Sequence, residues 1–396
     1  MLSYVKRQGK RIWMLTVREL RIFIRRPLLV FCMLIAPIFC AIFFSTMMSE
    51  GLPQKLPTGL VDEDNTSTTR QIVRILGSMK TTDLSRRYPT FEAAKEAVLH
   101  GEIYAFMYIP KGTTQAAISS KQPQISFYTN DAYFLPASLL MKDLRTTSEM
   151  TGLAITRETL RAKGLTDKQI MGVLQPIVIE SHPISNSTLN YSVLLTNCIV
   201  PGIVILMIML TTTYAIGMEW KKGTQKFVYH DMAGGSVPIF ITGKLLPQTV
   251  LYVLQFWMMY VYLYKVLCFP CQSGLFPMMC IGVLTVLAAQ AFGLVMFGIF
   301  AGQMRMSMSA SALVGVLSIS MAGFSYPTTA MSPLLIKLSW IFPLRDYFLI
   351  YSNQALNGYP IEYAWQPILA LLIMMVVPLL FIKRYAYAIN HIDYVP

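Results

Sequence analysis

The chain has 396 residues and a net charge of +13, from 33 Lys and Arg against 20 Asp and Glu. Charged residues make up 13% of the chain and hydrophobic ones 54%, whereas soluble domains carry roughly 25% charge. Too little charge is available to coat a water-facing surface, so lipid is part of the solvent, and disorder, a collagen-like fibre and a disulfide-packed mini-protein are excluded.

Residues 1–26 mix apolar side chains (Ile12, Trp13, Leu15, Leu20, Phe23, Ile24) with eight bases. The pattern predicts a cytoplasmic amphipathic helix along the inner membrane surface, its bases reaching anionic lipid head groups. A plain basic flank to the first span is the equal alternative. Pro27 turns the chain into an uncharged run read as transmembrane helix 1, residues 27–48. That run is longer than a signal-peptide core, and residues 45–51 offer no small-x-small cleavage site, so the span is expected to be retained.

Residues 49–192 are expected to form an extracytoplasmic α/β domain, large enough to bury its own core. Residues 58–62, 103–109 and 124–128 read as strands, 92–99 as a short amphipathic helix, and 131–163 and 166–173 as helical. Five more spans follow within 193–382, at about 193–216, 245–266, 276–300, 308–329 and 364–382. Residues 331–362 are apolar but interrupted by Pro333, Pro343, Lys337, Arg345 and Asp346, and read as a re-entrant pair of short, half-inserted helices. Residues 383–396 form a cytoplasmic tail. The predicted fold is therefore an α-helical polytopic membrane protein with six transmembrane helices and an inserted extracytoplasmic α/β domain.

Charge sets the orientation. Residues 50–180 hold 14 of the 20 acids and 15 of the 33 bases, and the rest of the chain holds 6 acids and 18 bases. Fifteen of those 18 fall on one side if both termini are cytoplasmic, as the positive-inside rule requires; Lys265, Lys337 and Arg345 are the exceptions. Excess charge beside apolar runs fits membrane topology and not a nucleic-acid surface.

Catalytic chemistry has little support. The four His residues are scattered and pair with no Cys or carboxylate at ligand spacing, so no metal is expected, and no nucleophile elbow or zincin motif occurs. Cys268-Phe-Pro-Cys271 sits in the loop between spans three and four and forms a local disulfide if that side is oxidising; no thioredoxin-like βαβ surrounds it. Gly243-Lys244 fails as a phosphate loop, because Pro238 and Leu245 stand where Gly and Ser or Thr are needed. None of the five cleanest spans carries a central acid or base, which disfavours ion coupling through a buried carboxylate. Energy for transport must come from elsewhere. The inner loop 217–244, with Gly217 and Gly223 around a short basic helix and Gly234-Gly235 breaking the next stretch, reads either as a plain positive-inside loop or as a docking element for a cytoplasmic motor.

At this loop the sequence resembles the ABC-2 type permease family, in its efflux-type branch with a large periplasmic domain. Glu219, Gly223-Thr224 and Gly243-Lys244 carry the first match. Gly323-Phe-Ser-Tyr-Pro327, Met331-Ser-Pro333, Trp340 and Pro343-Leu344 carry the second. The order of elements fits along nearly the whole chain. One departure stands out: many members place a Pro about eight residues after Gly-Thr, and here Asp231-Met232-Ala233 occupies that place.

The resemblance implies a non-catalytic transport subunit, binding no cofactor itself, in a bacterial inner membrane. Two such permeases pair, as a homodimer or with a paralogue, and two cytoplasmic ABC ATPase subunits, carrying ATP and Mg, dock beneath them. Glu219, Gly223, Thr224, Gly243 and Lys244 then belong to the coupling element, and Gly323, Pro327, Pro333 and Pro343 to the re-entrant segment. Spans one, two and five commonly line the dimer interface. The resemblance also implies export of a drug-like or lipid-like substrate, with a periplasmic adaptor and an outer-membrane duct as further partners. The competing reading is a membrane-anchored receptor or assembly scaffold acting through residues 49–192, which has no need of the loop residues.

Overall fold

The computed structural model describes residues 2–119, 121, 123–175, 182, 185, 186 and 190–394. It divides into two compact units, residues 52–182 and the remainder on either side. Helix α1 spans Leu2–Ile24, and Pro27 opens α2, the apolar helix Pro27–Met47. Arg26 between them is extended, as a residue before Pro prefers.

The inserted unit then runs β1 (Leu56–Asp62), α3 (Ser67–Gly77), β2 (Thr82–Arg87), α4 (Phe91–Leu99), β3 (Ala105–Ile109), α5 (Thr113–Ile118), β4 (Ser126–Thr129), α6 (Phe134–Ala162) and α7 (Asp167–Leu174). Its sheet has the order β2-β1-β3-β4, with β1 parallel to both neighbours and β4 antiparallel to β3. Alternation along the strands feeds two cores. Leu60, Met107 and Ile109 pack with Ile72, Leu76 and Leu144, while Val61 and Phe106 pack with Ala94, Ala97 and Ile103. Gly59 is required where it stands, because a Cβ there would lie 2.7 Å from Ile103 Cδ1. Three elements have no counterpart in the sequence reading, the edge strand β2 and the helices α3 and α5. The Asp64 carboxylate accepts from the Gly112 amide (2.7 Å) and from the amide (2.9 Å) and hydroxyl (2.6 Å) of Thr114, tying the β1 exit to the start of α5. These bonds hold its pKa below the usual carboxylate range, with Thr114 the largest cause and burial opposing.

The other unit continues with α8 (Tyr191–Lys221), α9 (Val237–Val266), α10 (Leu275–Ile299), α11 (Met304–Met321), α12 (Pro333–Ser339), α13 (Pro343–Tyr351) and α14 (Ile361–His391). Six of its helices, α2, α8, α9, α10, α11 and α14, are long and apolar enough to cross a membrane. Helix α8 is central, packed by α2, α10 and α11. Gly293 lets α10 close on α8, since a Cβ there would lie 2.9 Å from the Met209 carbonyl oxygen.

Several boundaries differ from expectation. The fifth helix ends at Met321, not near 329, because the backbone turns at Gly323, whose φ is +98°. The segment 217–244 is not a loop with a basic helix between Gly217 and Gly223: α8 runs straight through Gly217 to Lys221, a short helical stretch occupies Gln225–Phe227 and Val228–Met232, and α9 begins at Val237. Gly243 and Lys244 therefore lie inside a helix. Residues 331–362 contain the short helices α12 and α13, each opened by its Pro, Pro333 and Pro343. Arg345, buried, places its guanidinium over the Trp340 ring, 4.1 Å from the centroid. Cys268 and Cys271 are free thiols, directed at the carbonyls of Lys265 and Gly274.

Candidate functional site, an ion-pair joint between three helices

The end of α8 is shaped by its own sequence. Gly223 adopts φ +66°, its amide donates to the Trp220 carbonyl (3.0 Å), and the Thr224 amide donates to the Glu219 carbonyl (3.0 Å). This is a Schellman termination, which needs Gly at the left-handed position. It turns Thr224 back over the last helical turn, where its hydroxyl donates to the Glu219 carboxylate.

Glu219 is thereby the centre of a charge cluster. Lys244 Nζ donates to Glu219 Oε1 at 2.8 Å and to Glu19 Oε1 at 2.9 Å. Arg18 grips both oxygens of Glu219, NH1 to Oε1 at 2.9 Å and NH2 to Oε2 at 3.1 Å, and donates to Glu19 at 2.6 Å. Lys244 and Glu219 are buried and Arg18 is partly so. Burial works against the Arg18 charge, but the hydrogen bonds and attraction of Glu219 and Glu19 outweigh it and raise its pKa. Two cations balance two carboxylates with every carboxylate doubly contacted, the condition under which buried charges are tolerated.

Close backbone approach holds the joint together. A Cβ on Gly243 would lie 2.6 Å from Leu15 Cβ, so only Gly allows α1 to seat on α9 here. The Thr16 hydroxyl reaches the Gly243 carbonyl at 3.4 Å. One turn outward, the Arg11 guanidinium lies directly on Gly234. Beneath, Leu15 belongs to a core with Trp220, Val228, Phe240, Phe297 and Tyr385. The connecting segment packs Val228, Tyr229 and Ala233 inward and leaves Lys221, Lys222, Lys226, Phe227 and His230 exposed.

All five loop residues singled out in the sequence thus sit at one joint. Glu219, Thr224 and Lys244 bond directly, Gly223 shapes the turn, and Gly243 admits α1. Arg18, Glu19 and Leu15 were visible only as parts of a basic amphipathic segment, and nothing in the sequence paired them with Glu219 or Gly243. Gly323, Pro327, Pro333 and Pro343 lie apart from this joint, in the turn after α11 and at the starts of α12 and α13. No group of His, Cys, Asp and Glu able to hold a metal occurs among the described residues.

Residues 27–382 match the family model described as ABC-2 family transporter protein. The chain belongs to the ABC-2 transporter family. No curated protein matches it. Membership makes this chain a permease component of an ABC transporter, a multi-pass membrane subunit of a kind that associates with ABC ATPases. The match begins at Pro27, so α1, which supplies Arg18 and Glu19 to this permease's joint, lies ahead of it.

Proposed function

We propose that this permease is the membrane-spanning half of an ATP-driven exporter, working as a dimer, and that the Glu219 joint passes the motion of separate ATPase subunits to the spans. The observation that carries this reading is the convergence of α1, the end of α8 and the start of α9 on one buried carboxylate. The connection between α8 and α9, with Lys221, Lys222, Lys226 and Phe227 exposed, offers a partner a basic surface with an apolar anchor. A push there moves all three helices, because ion pairs and the Gly243 seat lock them at one point.

The distribution of bases favours a cytoplasmic position for both termini and this joint and the opposite side for residues 52–182. A bacterial inner membrane suits that arrangement, with a periplasmic adaptor and an outer-membrane duct as candidate partners of the inserted unit. Helices α2, α11 and α14 bury little of their apolar surface within one chain, which leaves these three to face lipid or a second permease. Export of a drug-like or lipid-like molecule is the substrate class most in keeping with Met-rich and aromatic spans.

The test is copurification in mild detergent of the tagged chain with the ATPase encoded beside it. A stable complex whose ATP hydrolysis responds to Glu219→Gln supports the exporter. Failure to retain an ATPase, with the Glu219 variant behaving as the parent, sinks it and leaves the receptor or scaffold reading.

A further inference from the structure

Beside the joint, between α1, α2, α8 and α9, lies a cleft of about 60 Å³. Glu19, Glu219 and Lys244 form part of its wall, but with Arg18 they are mutually neutralised. Two further cations line the same cleft, Arg26 and Lys222. Neither has a carboxylate within ion-pair distance among the described residues. Arg26 is held in place by Tyr214, whose hydroxyl accepts from NH1 at 2.8 Å and whose ring lies 5.8 Å from the guanidinium carbon. The rest of the wall is apolar, with Phe23, Leu29, Met33 and Leu251.

The two kinds of wall are ordered along the helices. Arg26 directly precedes Pro27, where α2 starts, and Lys222 directly follows Lys221, where α8 ends. Both cations therefore stand at the level where two apolar helices leave the membrane. Leu29, Met33 and Leu251 lie further along α2 and α9, at the level of hydrocarbon. Two cations without carboxylate partners thus share a cleft with an apolar wall.

We propose that this cleft binds one anionic phospholipid, its phosphate between Arg26 and Lys222 and an acyl chain against Phe23, Leu29, Met33 and Leu251. The occupant carries a net negative head group, such as phosphatidylglycerol. A zwitterionic lipid would return one positive charge to a site that already has two, and a free phosphate would leave the apolar slot unfilled. The bound head group would be packed against α1 at the point where Glu219 and Lys244 hold it. The proposal rests on the exporter reading only for placing this end of the helices at the inner membrane surface.

The experiment is native mass spectrometry of the full chain in detergent, without any ATPase, after equilibration with equal amounts of phosphatidylglycerol and phosphatidylethanolamine. Inorganic phosphate is added in a parallel sample. The parent should retain phosphatidylglycerol over phosphatidylethanolamine on the order of tenfold, and excess phosphate should not displace it. Arg26→Gln/Lys222→Gln should lose the preference, and Lys222→Gln alone should lose part of it. Lys10→Gln/Arg21→Gln, which removes two exposed cations of α1 outside the cleft, should keep it.

No preference in the parent, an unchanged preference in the cleft variants, or equal loss in the Lys10/Arg21 variant would overturn the site. So would displacement by phosphate alone. Folding of each variant is checked by thermal unfolding, and the single Lys222 variant, changed at an exposed position, keeps the test decisive if the double variant is unstable. Because no ATPase is present, a missing lipid and a missing ATPase partner are separate results.

Discussion

Lys244 donates to Glu219 at 2.8 Å from a side chain with no exposed surface, although 25 positions separate the two in the chain. The pair fixes the start of α9 against the end of α8 and leaves the second carboxylate oxygen for Arg18 and Thr224. A carboxylate used so fully cannot be replaced by its amide without cost.

Glu219→Gln leaves Lys244 and Arg18 sharing the single charge of Glu19. We expect a loss of about 3 kcal/mol in stability, the low end for breaking a buried ion pair. Lys244→Met should cost a similar amount. The double variant should cost less than the sum, with a coupling energy of about 1–3 kcal/mol. Thermal unfolding in detergent measures all three, and additive losses would show that the pair does not act as a unit.

Gly243→Ala places a methyl group into Leu15. Seating of α1 should weaken by about 1–3 kcal/mol, as overpacking does. Leu15→Ala alone leaves a cavity and should cost about 2–4 kcal/mol. Pairing Gly243→Ala with Leu15→Gly, which also removes the Cβ at 2.6 Å, restores room for the methyl group and should recover part of the loss. Protease sensitivity of residues 2–26 reports the seating directly, and a double variant more sensitive than both singles would contradict the contact.

Phe227→Ala changes an exposed side chain and should alter stability by no more than about 0.5 kcal/mol. If the exposed connection is the docking element, retention of the ATPase should fall at least on the order of tenfold, as for an apolar interface anchor. A pull-down titration against the parent measures this. Undiminished retention would move the docking surface elsewhere.

Acid should loosen the inserted unit through Asp64. Its folded-state pKa lies below the unfolded value, so its contribution is fully present above about pH 4 and is lost as pH falls through the folded value. Asp64→Asn keeps one acceptor oxygen but loses the charge. Hydrogen exchange of residues 112–118 should be faster in the variant than in the parent at pH 7, and the difference should shrink toward pH 3. A difference that persists unchanged at pH 3 would exclude the carboxylate as its source.

The spans were legible because lipid forbids charge, and an uncharged run of twenty residues has few other uses. The same rule hid the ends of α8 and α9. Glu219 and Lys244 broke the uncharged runs and so read as loop, whereas both are helical and neutralise each other. Strand β2 escaped notice because Thr82–Arg87 lies at a sheet edge and has Leu84 as its one apolar side chain, so it has no apolar alternation to show. Helices α3 and α5 did so because the first turns only Thr69, Ile72, Val73 and Leu76 inward from a polar surface and the second is six residues long. The loop motif was visible, but its partners were not: Arg18 precedes Glu219 by 201 positions, and no local spacing records a contact of that range.

That separation also imposes an order on biosynthesis. Arg18 and Glu19 leave the ribosome long before Glu219, and Lys244 follows Glu19 by 225 residues. At about 5–20 residues per second the delay is roughly 10–45 s. Throughout it, α1 must wait without Glu219 and Lys244 for its charges and with an unfilled Leu15 contact while the inserted unit is made. The joint can close only when the third apolar helix begins to emerge. A premature stop before residue 219 therefore yields a chain whose first helix lacks every distant partner of the joint, which gives a quality-control system an exposed marker of incomplete synthesis.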